Sequence, residues 1–471
     1  MIHLDIIDTA LVIVYFAAVV FVGLRAARVG KNTNEDFLLA GRTLTLPLFV
    51  ATLVSTWYGG ILGIGEFSYR YGISNWVVFG VPYYFFALVF AVVLARRIRA
   101  TNALTIPDQL EQSYDRKTAV LGGMLTFVLV TPAAYVLMLG ILVQLIFGSS
   151  LAVSVVLATL VTIVYLKQGG LRSDVWVNAL EFIVMFAGFA VIIPFAWTQF
   201  GGLSFIRDNV PALHLTWHGG LPVQYIAVWF FIALWTLVDP AFYQRCAAAR
   251  DGATAQRGIL ISILFWFCFD AMTSATGLYA RAILPNLKEP LYAYPMLAER
   301  VLPVAFKGLF VIGMLATVMS TLSSLMFIAA STIGNDIIGR LSRPERRSEN
   351  VNRWTRWGLI ISASVAVALA LAVPSVVKLW YTIGTTIIPG LLVPVVSSYF
   401  KRLRISSGFA FACMLAGWGV STACFLDGQL TMIGTSPKYL FGVEPMIPGL
   451  VVSVVVWVVG KVWGAVRRAA A

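Results

Sequence analysis

Charge is what this chain has least of. Of its 471 residues only 12% are Asp, Glu, Lys or Arg, against 59% hydrophobic. Soluble domains carry roughly twice that charged fraction, so a soluble globular fold is excluded. Histidine occurs three times and cysteine four, as Cys246, Cys268, Cys413 and Cys424. No CxxC pair exists, and all four cysteines lie in or beside apolar segments. They are expected to be small buried hydrophobes rather than disulfides or metal ligands. HExxH, GxSxG and the P-loop are all missing, which argues against a membrane enzyme. His3 lies outside the apolar runs, as do His214 and His218, which are expected to be solvated on one loop. The first residues, MIHLDIIDTA, carry acids and no basic region. The first apolar run is therefore expected to be retained rather than cleaved as a signal peptide.

What the chain has in abundance is apolar length, with a mean hydropathy of +0.87. A bilayer core takes about 20 such residues per helix. Thirteen runs meet that measure: 6–24, 46–68, 74–95, 119–147, 151–166, 176–198, 222–240, 258–280, 306–333, 355–373, 376–399, 407–426 and 446–464. The expectation is a single all-α, polytopic membrane domain over 1–471, with the lipid bilayer as its constant partner. The net charge of +13 is explained by placement. With the N-terminus outside, the inner loops and helix ends hold 26 Lys and Arg and the outer ones 8, every basic residue falling in a loop or at a helix end. That asymmetry follows the positive-inside rule, places the C-terminus in the cytoplasm and needs no nucleic acid. The inner loop near 340–354, GRLSRPERRSENVNR, is a solvated linker. No ATP-binding or kinase module and no obligate protein partner is evident.

The most informative helix runs from Gly313 to Asp336, GMLATVMSTLSSLMFIAASTIGND. Thr317, Ser320, Thr321, Ser324 and Ser331 recur at helical spacing and share one face. Such a face either hydrogen-bonds a packed neighbour or offers hard oxygen ligands to a small cation. Ser323 falls off the face, and Ser324 and Ser331 keep the packing reading. Acids inside the membrane are few and mark function. Glu181 and Asp270 lie within runs, and Glu66, Asp174, Asp239 and Asp336 lie near their ends. Asp174, Asn178 and Glu181, at i, i+4 and i+7, form one polar stripe, a candidate ion or proton path. Asp270 is a candidate for binding substrate or a proton, with helix pairing as the plainer role.

The second run reads TLVSTWYGGILGIGEF. Its glycines at 59, 60, 63 and 65 either pack a neighbour closely or break the helix, so that freed carbonyls and helix ends meet an ion and a solute. In the seventh run, WFFIALWTLVDPAFYQR, Asp239-Pro240 is expected to break the helix near the inner face.

Four stretches, in order, resemble the sodium:solute symporter family. They are EDFLLAGR (Glu35 to Arg42), GGLRSDVW after the fifth run, DPAFYQRCAAARD with Pro240 and Arg245, and ATVMSTLSSLMFIAASTIGNDI in the ninth. The resemblance implies a LeuT-type core of two inverted five-helix repeats. These would cover 46–198 and 222–399, with 1–45 and 407–471 peripheral. It also implies a bacterial inner-membrane symporter that imports a small organic solute with Na+ and uses no cofactor. By the same resemblance the sodium ligands are the carbonyls of Leu53, Thr56 and Thr317 and the hydroxyls of Ser320 and Thr321. Neutral oxygens suit a hard ion without the cost of burying a carboxylate. Ser55 stands where some members carry an acid. Asn178 replaces the family's acid and Glu181 a common amide, so a second sodium is not implied. The solute candidates are Trp57, Gly60, Tyr135, Trp235 and Asp270. Two other functions remain open from the residues alone: proton coupling through Asp270 or Glu181, and solute sensing without transport.

Overall fold

Long apolar runs leave the backbone one economical way to satisfy its amides, and the chain takes it almost everywhere. The computed structural model describes residues 2–30, 33–342, 344–433, 436–439 and 442–469. Among them, eleven helices are long and apolar enough to cross a membrane. A pair bent by 59° makes one further span, and one shorter apolar helix, Leu151–Val164, accompanies them. Each of the thirteen expected runs is thus helical. In chain order the helices are α1 (Ile6–Val29), α2 (Leu46–Trp57), α3 (Ile61–Tyr71), α4 (Trp76–Ala100), α5 (Arg116–Phe147), α6 (151–169) and α7 (171–200). They continue as α8 (Val223–Ala248), α9 (Gly252–Ile283), α10 (Phe306–Leu341), α11 (Asn350–Ala372), α12 (Val376–Ser398), α13 (Ser407–Leu430) and α14 (Met446–Arg467).

Burial sorts these helices by depth. α10, whose middle turns are apolar on every side apart from their hydroxyls, is almost wholly buried and forms the centre. It meets α7 so closely that a Cβ on Gly188 would stand 2.8 Å from the Gly313 Cα. α14 and α13 lie at the rim and turn large aliphatic side chains such as Val454, Val458 and Leu426 outward, a surface suited to lipid. α1 also has an exposed apolar face, yet it reaches inward at two points. The Asp8 carboxylate accepts from the Ala305 and Gly308 amides, both at 2.8 Å, and so caps the start of α10. The Tyr15 hydroxyl donates to Glu181 at 3.1 Å.

Several expectations need correction. GGLRSDVW is not a loop: the helix runs from Leu151 to Phe200 and departs from helical geometry only at Gly170, with φ 55° and ψ −141°. A Cβ there would lie 2.3 Å from the Phe37 carbonyl oxygen, so the kink needs glycine twice over. Cysteines are not uniformly buried; Cys246 and Cys413 are, whereas Cys268 faces outward and Cys424 is half-buried. Two basic residues at helix ends, though placed in last turns as expected, turn inward. Arg245 and Arg340 are buried, the latter held by Asp336 at 2.6 Å, by Glu111 at 3.0 Å and by Asp108. Lys31 and Arg343 lie outside the described residues, as do the side chains of Arg346, Arg347 and Arg468.

His214 is the remaining correction. It is buried, not solvated, and its Nε2 donates to the Tyr69 carbonyl at 3.0 Å, while Ile73 N–H donates to the His214 carbonyl at 2.9 Å. These contacts pin the loop between α7 and α8 onto the end of α3. Burial above all holds the His214 pKa below the ordinary histidine value; the Tyr69 bond opposes this and Arg281 adds to it. The neutral ring is therefore the folded form. Its contribution to stability is complete above the unfolded pKa of about 6.5 and is lost as pH falls below it. Thermal unfolding of the purified protein should show a midpoint that declines between about pH 7 and pH 5, with a shallower decline in His214→Gln.

Candidate functional site

The second span is discontinuous. α2 ends at Trp57, α3 begins at Ile61, and Tyr58, Gly59 and Gly60 join them across the bend. A helix that stops inside the membrane leaves its last carbonyls without amide partners. α10 and α9 supply them here. Ser320 Oγ donates to the Ser55 carbonyl at 2.9 Å and also lies 3.0 Å from the Thr317 carbonyl. Thr321 Oγ1 donates to the Thr56 carbonyl at 2.6 Å and reaches Ser55 at 3.3 Å. The Trp266 indole N–H lies 3.4 Å from the Val54 carbonyl. This close approach needs Gly59, where a Cβ would stand 2.2 Å from Thr321 Oγ1. Four of the five expected sodium ligands, Thr56, Thr317, Ser320 and Thr321, thus share one cluster of neutral oxygens. Leu53 is buried one turn earlier on α2.

One turn further along α10 is a second cluster, built on charge. Asp174 accepts from Ser323 at 2.7 Å, Ser324 at 2.6 Å, Asn178 at 3.2 Å and Arg245 at 2.9 Å. The Arg245 guanidinium also reaches Thr56 Oγ1 at 3.0 Å and Ser324 Oγ at 2.6 Å. Every member is buried. Ser324 keeps its packing role, its hydroxyl bonding Asp174 on the neighbouring α7, and Ser323, off the expected face, bonds the same carboxylate. The stripe of Asp174, Asn178 and Glu181 is not one path, because the first two close into this cluster while Glu181 turns to Tyr15. Arg245 was assigned to a loop because its helix was expected to end near Pro240. The span instead runs on to Ala248, which carries the guanidinium inward.

Beside the broken span lies a cavity of about 120 Å³. Leu53, Thr56, Trp57, Gly60, Tyr135, Trp235 and Thr321 all line it, which gathers four of the five solute candidates with part of the ion cluster. Asp270 does not line it. Its carboxylate accepts from the hydroxyls of Tyr58 and Tyr84, which draw it into the contact between α9, the break and α4. The sequence reading missed Tyr83, Asp239 and Trp380 in the cavity wall. Asp239 could have been found from Asp-Pro itself. A 3-10 turn over Ala233–Val238 precedes it, and its carboxylate caps the following helix through Ala241 N–H at 2.8 Å. That break lies at the cavity, not near the inner face.

Comparison with known proteins fits this architecture. The sodium:solute symporter family model matches residues 37–417. The chain belongs to the sodium:solute symporter family. Relatives of this symporter include the high-affinity choline transporter 1 of Drosophila melanogaster, 25% identical and covering 92% of this chain and 73% of that one. The sodium/pantothenate symporter of Haemophilus influenzae is 25% identical over 93% of each chain. A substrate-bound, outward-open Na+-coupled sialic acid symporter superposes with a TM-score of 0.77 at 15% identity over 97% of both chains. A closed nucleobase–cation symporter gives 0.61 at 12% identity, covering 92% of this chain and 95% of that one. The fold of this symporter is therefore the all-α LeuT type.

The charged cluster generates a prediction independent of transport. Removing one partner of a buried ion pair costs roughly 3–5 kcal/mol, so Arg245→Met should unfold the symporter at a clearly lower temperature than wild type. Asp174→Asn combined with Arg245→Met should recover part of the loss in the same thermal assay.

Proposed function

We propose that this symporter binds Na+ between the end of α2 and the middle of α10 and uses its gradient to import a small organic solute held in the adjacent cavity. The observation that carries the reading is the set of hydroxyls of Ser320 and Thr321 placed on the carbonyls of the broken helix. A hydroxyl that now donates can rotate and turn a lone pair toward a cation. The same oxygens, with the carbonyls of Leu53, Thr56 and Thr317, then supply about five neutral ligands. Coupling follows from position: Thr56 and Thr321 belong to both the ion cluster and the cavity wall. An ion that fixes the break favours the conformation the solute prefers. We place the basic face in the bacterial cytoplasm and the N-terminus outside, on the 26 to 8 distribution of basic residues. The repeats follow at 46–198 and 222–399, with 1–45 and 407–471 flanking them.

A second reading, proton coupling, is favoured by one observation. Asp270 is buried and meets two phenols, one of which, Tyr58, is the first residue of the break. A proton gained or lost there changes the hydrogen bonds of the break itself. The two readings separate in reconstituted vesicles. Ser320→Ala with Thr321→Ala should lower the thermal midpoint, because the Ser55 and Thr56 carbonyls lose their donors, and should abolish stimulation of uptake by sodium in the protein that remains folded. Uptake that follows the proton gradient and ignores replacement of sodium by potassium would give Asp270 the coupling role.

A further inference from the structure

We propose that the cavity accepts a small organic cation, an ammonium carrying methyl groups; this rests on the transport reading and narrows it to a solute class. Aromatic residues from five helices form much of its wall, among them Trp57 of α2, Tyr83 of α4, Tyr135 of α5, Trp235 of α8 and Trp380 of α12. Their rings are held in place. Trp57 meets Tyr83 edge-on at 5.2 Å and Phe242 at 5.4 Å. The Trp380 ring lies against Gly60, where a Cβ would stand 2.3 Å from its edge, and Trp235 lies against Gly384, where the same distance is 3.2 Å. Ring faces carry negative quadrupole charge and attract a desolvated cation.

The ionic groups point the same way. Among the described residues, Asp239 is the only acid in the wall, and no Lys or Arg lines it. One Asp239 oxygen is tied to the Ala241 amide, and Arg245 is already bound to Asp174. Asp239 is thus the charged side chain that the wall itself presents, while Arg245, outside the wall, acts on it only through space. An anionic solute would need a basic group or a free helix N-terminus. Two helix starts at the cavity are already taken: the one at Pro240 by the Asp239 cap, and the one at Ile61 by the Trp380 ring on Gly60 and Gly63. A sugar would need hydrogen-bond partners on every side, whereas the polar groups of this wall, the Thr56 and Thr321 hydroxyls, two phenols, Asp239 and the indole N–H groups, are set among broad apolar and aromatic faces. A volume of about 120 Å³ holds on the order of ten water-sized groups. A methylated ammonium needs aromatic faces and a carboxylate, and it fits that space.

The test uses three compounds with a similar compact apolar body and different charge: tetramethylammonium, tert-butanol and trimethylacetate. Thermal unfolding of the purified full chain is followed with each, in sodium and in potassium at equal ionic strength. Tetramethylammonium should raise the midpoint, more so in sodium, and the neutral and anionic compounds should not. Trp380→Leu should weaken its apparent affinity about tenfold, and Trp380→Phe should stay within about threefold. Asp239→Asn, which retains the cap, should also weaken it about tenfold. A shift by sodium alone shows that each variant is folded. Equal stabilisation by tert-butanol or trimethylacetate overturns the proposal. A sodium shift with none from tetramethylammonium overturns the solute class and leaves sodium coupling standing. Absence of both shifts overturns sodium coupling as well.

Discussion

Everything near the centre depends on how the unfinished end of α2 is satisfied. A helix that ends within a membrane exposes carbonyls that lipid cannot solvate, and each unmet group costs several kcal/mol or so. The protein meets that cost with two hydroxyls from α10 and an indole from α9. Those partners fix where α10 must lie, and α10 in turn positions α7 through the Gly188–Gly313 contact. The close approach explains why glycine, not alanine, stands at 59. It also explains why neutral oxygens gather in an otherwise apolar interior.

The charged cluster is the complement of that arrangement. Asp174 and Arg245 are expensive to bury singly, and together they remain costly unless nearly every lone pair and N–H is used. Ser323, Ser324, Asn178 and Thr56 do much of that work. The result ties α2, α7, α8 and α10 at one point. Thr56 serves both clusters, its carbonyl toward Thr321 and its hydroxyl toward Arg245 and Ser324. A change at either cluster therefore reaches the other through a single residue. The cavity shares Thr56 and Thr321 with the ion cluster, so ion, solute and scaffold meet along a few residues of one broken helix.

Much of this was legible in the residues. Apolar length and the scarcity of charge dictated a helical membrane protein, because a bilayer admits few other solutions for a backbone. The Gly59-Gly60 pair after Ser55 and Thr56 pointed to a broken helix, and the hydroxyl face of α10 to its partner. Trp57 and Trp235 could be nominated because each lies near a break, and Tyr135 because the family resemblance implies a cavity beside its span. What periodicity could not reveal is which side chains meet across the bundle. Asp174 and Arg245 are 71 residues apart, and Trp380 and Gly60 come from opposite ends of the chain. Asp270 has the profile of a binding residue, yet two tyrosines claim it, since its direction on α9 is set by packing.

By itself, then, the sequence determined an all-α membrane fold, the order of the spans and a hydroxyl face on α10. Local composition and spacing carry that information, and lipid leaves little latitude in using it. Only the tertiary structure decided that Arg245 turns inward, that Asp239 and Trp380 face the cavity and that Asp174 and Glu181 turn to different partners. Those outcomes depend on long-range contacts, and it is the direction of a side chain from its helix, not its place in the chain, that decides what it touches.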